Sequence, residues 1–278
     1  VAVVFALLAA AGYGAADFLG ARAARTASAA GVTFVAQLVS LVLILPVAIM
    51  MAGPFGNRRD VLLSLSSGAA AAVALSLFYW GMARGAIAVV APITAITGII
   101  VPVVWGICFS TSPGALGFVG LVIAPFAVGV VCGGDGWASL AGMKQIVMIA
   151  IVGGVLFGSI YIMLGEISPD IGLWPLVYMR LTSISLAYSL SRSRAVSGMS
   201  RSGVLVLCAW CGLADAIANT GLLIASRNGY VSVVAVVASM YPAITLVLAW
   251  RIDHERIGSF RMLGLVLSAL VVSLVAVG

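Results

Sequence analysis

Of 278 residues, 63 % are hydrophobic and only 8 % charged, far below the roughly 25 % charged fraction of a soluble domain, so the chain belongs in a bilayer. Its formal net charge of +6 comes from arginines that lie mostly between apolar runs and form no stripe, which excludes a nucleic-acid partner and points to loops flanking membrane lipid. With one histidine and no phosphate-binding glycine loop, the chain offers no multi-histidine metal site, no cluster of nucleophile and base and no ATP-driven step, so no metal, cofactor or enzymatic activity is expected.

About 20 apolar residues cross the hydrocarbon core as a helix. In chain order the sequence allows ten such segments: 1–20, 31–52, 61–83, 87–108 and 115–132, then 145–165, 172–190, 203–225, 230–250 and 260–278. The first run lacks a basic n-region and a small-residue cleavage site, so it reads as a span rather than a signal peptide. Gly53-Pro54-Phe55-Gly56-Asn57-Arg58-Arg59-Asp60 ends the second segment with turn residues and charge that lipid rejects. Ser110-Thr111-Ser112-Pro113-Gly114, Gly133-Gly134-Asp135-Gly136 and Ser191-Arg192-Ser193-Arg194 act in the same way. Pro46, Pro92, Pro102, Pro125 and Pro242 fall inside segments, where each can bend the helix or free a carbonyl. Gly81 with Gly85, Gly129 with Gly133, and Gly154 with Gly158 permit close helix approach.

The chain repeats itself at an offset of 144 residues. Six of the seventeen glycines in 1–134 meet another glycine at that offset (Gly14/Gly158, Gly68/Gly212, Gly85/Gly229, Gly114/Gly258, Gly120/Gly264 and Gly134/Gly278), where roughly two would coincide by chance. Residues 1–134 and 145–278 are therefore expected to be two repeats, with the boundary in the stretch near 133–144. Five spans per repeat is an odd number, which turns the second copy upside down relative to the first. The expected fold is an all-α membrane protein of ten transmembrane helices arranged as two inverted five-helix repeats. On this plan Arg22, Arg25, Arg84, Lys144, Arg192, Arg194, Arg201, Arg251, Arg256 and Arg261 share one side and Arg58, Arg59 and Arg227 the other, which makes the first side cytoplasmic and leaves both termini outside. Glu166 and Asp170 stand in the loop equivalent to the one holding Arg22 and Arg25.

Four short motifs carry a family resemblance. They are Tyr13-Gly14-Ala15-Ala16-Asp17-Phe18-Leu19-Gly20, Ala88-Val89-Val90-Ala91-Pro92-Ile93, Val233-Val234-Ala235 leading to Tyr241-Pro242, and His254-Glu255-Arg256-Ile257 with Gly264. In this order and spacing the chain resembles EamA-type members of the drug/metabolite transporter superfamily over essentially its whole length. The family's Gly-Glu-Arg pattern before the last helix of each half is His254-Glu255-Arg256 in the second copy and Ser110-Thr111-Ser112 in the first. The resemblance implies a substrate cavity between the halves of a ten-helix basket, and export or exchange of a small-molecule metabolite by alternating access. It also implies a multi-pass protein of the bacterial inner (plasma) membrane. Amino acids or related compounds are the expected substrates. The alternatives are a multidrug exporter of hydrophobic cations, if the cavity's unpaired charge is acidic and Arg180 points elsewhere, and a non-transporting membrane subunit.

Ionisable residues inside spans mark candidate sites, because each costs about 2.5–3.5 kcal/mol at a span's centre even on the lenient insertion scale. Asp215 lies well inside its segment with Asn219 one turn later on the same face, and Arg180 in the preceding segment is the evident counter-charge. Arg180 would bind a carboxylate, Asp215 would accept an amine or a proton, and Asn219 would fix orientation. The competing reading is a structural ion pair. Gln37, Tyr79, Trp80 and Tyr161 are further candidates for the cavity wall, against helix packing or an interfacial belt. Asp17, a turn from the end of the first segment and near Arg22, is a candidate with Asp215 for gating or for coupling to protons, against an interfacial role. Cys108, Cys132, Cys208 and Cys211 lie within or at the edge of apolar segments and read as small hydrophobes despite the redox-like Cys208-Ala209-Trp210-Cys211 spacing.

Overall fold

The structure, a computed structural model, describes residues 2–51, 53–84, 87–109, 119, 122–123, 126, 130, 137–192, 202–228, 238, 241–254 and 258–277. They form α1 (Ala2–Ala24), α2 (Ala29–Met50), α3 (Arg58–Met82), α4 (Ile87–Phe109), α5 (Trp137–Gly165), α6 (Trp174–Arg192), α7 (Ser202–Asn228), α8 (Tyr241–Ile252) and α9 (Ser259–Val277), with a 3-10 turn at Pro169–Ile171. No strand occurs among the described residues. The expected segment 115–132 lies almost wholly outside the described residues, as does most of 229–240.

Helix ends follow local chemistry. The Ser28 hydroxyl accepts from the Gly31 amide at 3.1 Å and starts α2. Asn57 and Asp60 form a reciprocal capping box at the start of α3, with the Asp60 amide donating to Asn57 Oδ1 at 3.0 Å and the Asn57 amide donating to Asp60 Oδ2 at 3.2 Å. Gly172, at φ 63°, turns the chain between the 3-10 turn and α6. α5 begins at Trp137, eight residues before the expected start at 145, because Trp137 directly follows the Gly133–Gly136 run and no proline intervenes. Pro46, Pro92 and Pro102 lie inside helices whose assignment continues through them, whereas Pro242 occupies the first turn of α8, where its missing N–H costs nothing. Pro125 lies outside the described residues.

Segments Val4–Ala24, Ala29–Met50, Arg58–Met82, Met143–Gly165 and Gly203–Ala225 are long and apolar enough to cross a membrane. Large apolar side chains such as Val4, Val42, Ile49, Trp210 and Val266 face outward, as the surface of a protein solvated by lipid tails requires. The chain is an all-α, multi-pass membrane protein. α6 is more polar than those five, since it carries Arg180 and several hydroxyls. Ser185 and Ser189 settle theirs on the carbonyls of Leu181 and Ser185, four residues back, at 2.8 and 2.9 Å.

α1 packs chiefly on α7 and then on α8; α3 packs on α5 and α6; α2 packs on α6 and α7; α4 packs on α5. Glycines permit the closest crossings. A Cβ at Gly14 would stand 2.7 Å from Ile244 Cβ and 2.8 Å from the Tyr241 carbonyl of α8, and one at Gly158 would stand 2.6 Å from Val101 Cβ and 2.7 Å from the Gly98 carbonyl of α4. Likewise a Cβ at Gly68 would run into the Met179 carbonyl of α6, and one at Gly212 into the Ala36 carbonyl of α2. Two buried clusters bracket the middle of the bundle. One, toward the C-terminal ends of α1 and α3, includes Phe18, Ala21, Val32, Phe78, Tyr79 and Met82; the other, toward the start of α6, includes Ile44, Ile160, Leu173 and Leu176.

Because the obstructing atoms at Gly68 and Gly212 are backbone, valine at either position is expected to destabilise the fold by about 1–3 kcal/mol through overpacking. Gly203→Ala, where no atom lies within 4 Å of the new methyl, is the matched control and is expected to hold or slightly raise the melting temperature. Thermal unfolding of the detergent-purified variants checks both.

Candidate functional site

The polar residues of α1, α6 and α7 converge on a cavity of about 110 Å³ between the two buried clusters, several times the roughly 10–15 Å³ that one water requires. Its apolar wall comes from Leu75, Phe78, Phe157, Ile160 and Met179. Its polar wall comes from Asp17, Arg180, Asp215 and Asn219 with the phenols of Tyr13, Tyr79, Tyr161 and Tyr241.

Arg180 is 1 % exposed, and its Nη2 donates to Asp215 Oδ2 at 2.7 Å. Ser40 of α2 closes the triangle, since Arg180 Nε donates to its hydroxyl at 3.1 Å and that hydroxyl donates to Asp215 Oδ2 at 2.8 Å. The other carboxylate oxygen, Oδ1, receives Asn219 Nδ2 at 3.0 Å, and the same Nδ2 stands 2.9 Å from the Asp215 carbonyl. Tyr13 of α1 then donates to Asn219 Oδ1 at 3.1 Å. Both oxygens of Asp215 are thus engaged by protein groups, while Arg180 Nη1 has no hydrogen-bond partner among the described residues.

Asp17 is in the opposite condition. It is 8 % exposed and borders the cavity, yet among the described residues it has neither an ion-pair nor a hydrogen-bond partner. Arg22 is not its counter-ion. Arg22 Nη1 pairs with Asp253 Oδ1 at 3.2 Å and Arg25 Nη1 with Asp253 Oδ2 at 2.6 Å, which joins the end of α1 to the segment after α8. At the other end of the bundle Arg59 pairs with Glu166 at 2.5 Å, Trp174 Nε1 donates to the Gly53 carbonyl at 3.1 Å and the Tyr178 hydroxyl donates to the Phe55 carbonyl at 2.9 Å.

Of the residues expected at the site, Arg180, Asp215, Asn219, Tyr79, Tyr161 and Asp17 all border the cavity. Gln37 and Trp80 do not. Gln37 is buried and its Oε1 lies 3.2 Å from the Ser183 hydroxyl, which makes it a link between α2 and α6. Trp80 carries the Arg84 guanidinium on its ring face at 3.4 Å, an arrangement suited to a membrane interface. Cys211 is packed and structural, its thiol 3.3 Å from both the Tyr79 hydroxyl and the Ala16 carbonyl. The side chains of Cys108 and Cys132 lie outside the described residues. Sequence reasoning missed Tyr13, Ser40 and Tyr241. Tyr13 was open to discovery, being one helical turn before Asp17 and so on the same face.

No protein-family model matches this chain, and comparison with curated proteins finds no significant match.

Removing one member of a buried ion pair strands the other and costs about 3–5 kcal/mol, whereas a neutral pair that keeps the hydrogen bonds avoids that penalty. Arg180→Ala is therefore expected to lower folded yield and melting temperature sharply. Asp215→Asn/Arg180→Gln should regain part of the loss, as read from the size-exclusion profile and thermal unfolding of solubilised protein.

Proposed function

We propose that this chain is a secondary transporter of EamA type in a bacterial inner membrane, built as two inverted five-helix repeats and exporting or exchanging small organic metabolites, most simply amino acids or related compounds. The observation that carries the reading is the cavity at the middle of the bundle, bordered by helices from both halves of the sequence, with Arg180 offering unfilled donors and Asp17 an unfilled carboxylate. A zwitterion matches both, its carboxylate against Arg180 Nη1 and its ammonium against Asp17, while Phe78, Phe157 and Ile160 receive an apolar side chain.

Two lines of packing support the repeats. When each helix is exchanged for its counterpart in the other half, the α1–α7 contact becomes α5–α3, α1–α8 becomes α5–α4, and α2–α7 becomes α6–α3, and all of these are principal contacts. Glycines matched at the 144-residue offset behave in the same way. Gly14 and Gly158 occupy the equivalent α1–α8 and α5–α4 crossings, and Gly68 and Gly212 the equivalent α3–α6 and α7–α2 crossings. Cavities between such halves are where inverted-repeat transporters hold substrate.

A second reading, export of hydrophobic cations, is favoured by one specific observation. Asp215 already neutralises Arg180, so Asp17 is the one charged side chain of the described cavity wall without a counter-charge.

Counterflow in proteoliposomes loaded with an amino-acid pool is expected to show saturable uptake of at least one labelled member, reduced by about tenfold or more in Asp17→Asn. Uptake of a labelled organic cation in place of every amino acid would select the second reading. Absence of both from folded protein would overturn transport and leave the membrane-subunit alternative.

A further inference from the structure

Three oxygen acceptors of the cavity wall are left without partners. Asp17 is one, as described above. The Tyr161 and Tyr241 hydroxyls are the others, since neither enters a hydrogen bond among the described residues, in contrast to Tyr13 and Tyr79, whose hydroxyls are taken up by Asn219 and Cys211. Leaving a buried acceptor unmet costs about 1–3 kcal/mol, a cost that falls on Asp17, which is 8 % exposed, while the half-buried Tyr241 and the more open Tyr161 add two unpartnered hydroxyls to the same cavity, so the three together call for a ligand or for water. The Tyr161 and Tyr241 phenols border the same cavity as the Asp17 carboxylate, and neither hydrogen-bonds to it. Tyr13 and Tyr241 meet edge to face, ring centroids 6.4 Å apart and planes at 70°, so their rings form a corner of the same wall.

Arg180 and Asp215, by contrast, neutralise each other, and with both oxygens of Asp215 engaged only Arg180 Nη1 is left to meet a ligand on that side. The ligand-facing polarity of the cavity is therefore divided, with a neutralised pair on one side and, on the other, the acceptor-only Asp17 carboxylate with two phenol oxygens that can also accept. A carboxylate or phosphate is repelled there by the like charge of Asp17, even though the phenol O–H groups could donate to it. A group that brings positive charge and several N–H donors meets it.

Resting on the reading of this cavity as the transport site, we infer that Asp17, Tyr161 and Tyr241 form a subsite for the primary ammonium group of the substrate. The carboxylate takes its charge and one N–H, and the two phenol oxygens accept the other N–H groups. The corner of aromatic rings favours the same cation through its π-faces. The subsite fixes only the ammonium end, and the Leu75–Phe78 side of the cavity accommodates whatever apolar body follows.

The test is calorimetric binding to the full, detergent-purified chain of three probes with one phenyl body: 2-phenylethylammonium, its N,N,N-trimethyl derivative and 3-phenylpropionate. The primary ammonium is expected to bind, the trimethyl derivative to bind about tenfold more weakly for want of N–H donors, and any binding of the carboxylate, which has Arg180 Nη1 to meet, to be unchanged in Asp17→Asn. Asp17→Asn should weaken the first probe by about tenfold or more, and Tyr241→Phe, which keeps the ring and loses the oxygen, by a factor of about three to ten. Equal or tighter binding of the trimethyl cation on the unaltered protein, or loss of carboxylate binding in Asp17→Asn equal to that of the ammonium, would overturn the subsite. Transport of a solute lacking an ammonium group, with no ammonium binding, would sink the subsite and spare the transport reading. Ammonium binding that Asp17→Asn abolishes, with no flux of any solute, would uphold the subsite and sink transport.

Discussion

A guanidinium buried in an apolar bundle has to be met by an anion, and that requirement fixes the middle of this molecule. Arg180 of α6 reaches Asp215 of α7, Ser40 of α2 fills the angle between them, and Asn219 passes the network to Tyr13 of α1. Four helices are set in rotation and depth by one pair of charges. Apolar contacts alone would not do this, because lipid tails are as apolar as the leucines and valines they would replace. The same saturation decides what the cavity offers a ligand. With Asp215 engaged at both oxygens, its electrostatic character falls to Asp17 and to the unused face of Arg180.

Such a network needs short distances between helix axes, and small residues supply them. Gly68 brings α3 against the backbone of α6 near Met179, one residue from Arg180, while Gly212 brings α7 against α2 at Ala36, one residue from Gln37. The close crossings thus stand beside the polar links and hold the partners within hydrogen-bond range. Alanine serves the same end in the cluster at the C-terminal ends of α1 and α3, where Ala16, Ala21, Ala23 and Ala36 are all buried. A larger side chain at any of these crossings acts on the ion pair through the distance between helices before it acts through its own bulk.

The helices were legible because lipid forbids charge and unpaired backbone, so the breaks at Gly53–Asp60 and Arg192 announce themselves. The Arg180–Asp215 pair was legible for the same reason, two opposite charges deep in neighbouring apolar segments having little choice but each other. Rotation about each helix axis was not. Segments apolar on every side have no pattern to say which face is inward, so Gln37, in the middle of α2, could be placed in depth but not in direction, and it turns to Ser183 instead of the cavity. Asp17 and Arg22 are near in sequence but not in direction. Five residues along a helix amount to about 140° of rotation, so the two side chains diverge, and the arginine finds Asp253. Tyr79 and Trp80 are both candidates for the wall by residue type, yet neighbours in sequence point about 100° apart, and only Tyr79 borders the cavity.

The closure of the arginine-rich end also follows from small contributions. Asp253 is 8 % exposed at its side chain and is clamped by Arg22 and Arg25, which are 42 % and 32 % exposed. Pairs this open to solvent are worth about 0–1 kcal/mol apiece. In the transport cycle proposed above this end would part and be remade in every turnover, and a seal made of weak, separable contacts suits that cycle. Asp253, once released from both arginines, needs water in their place.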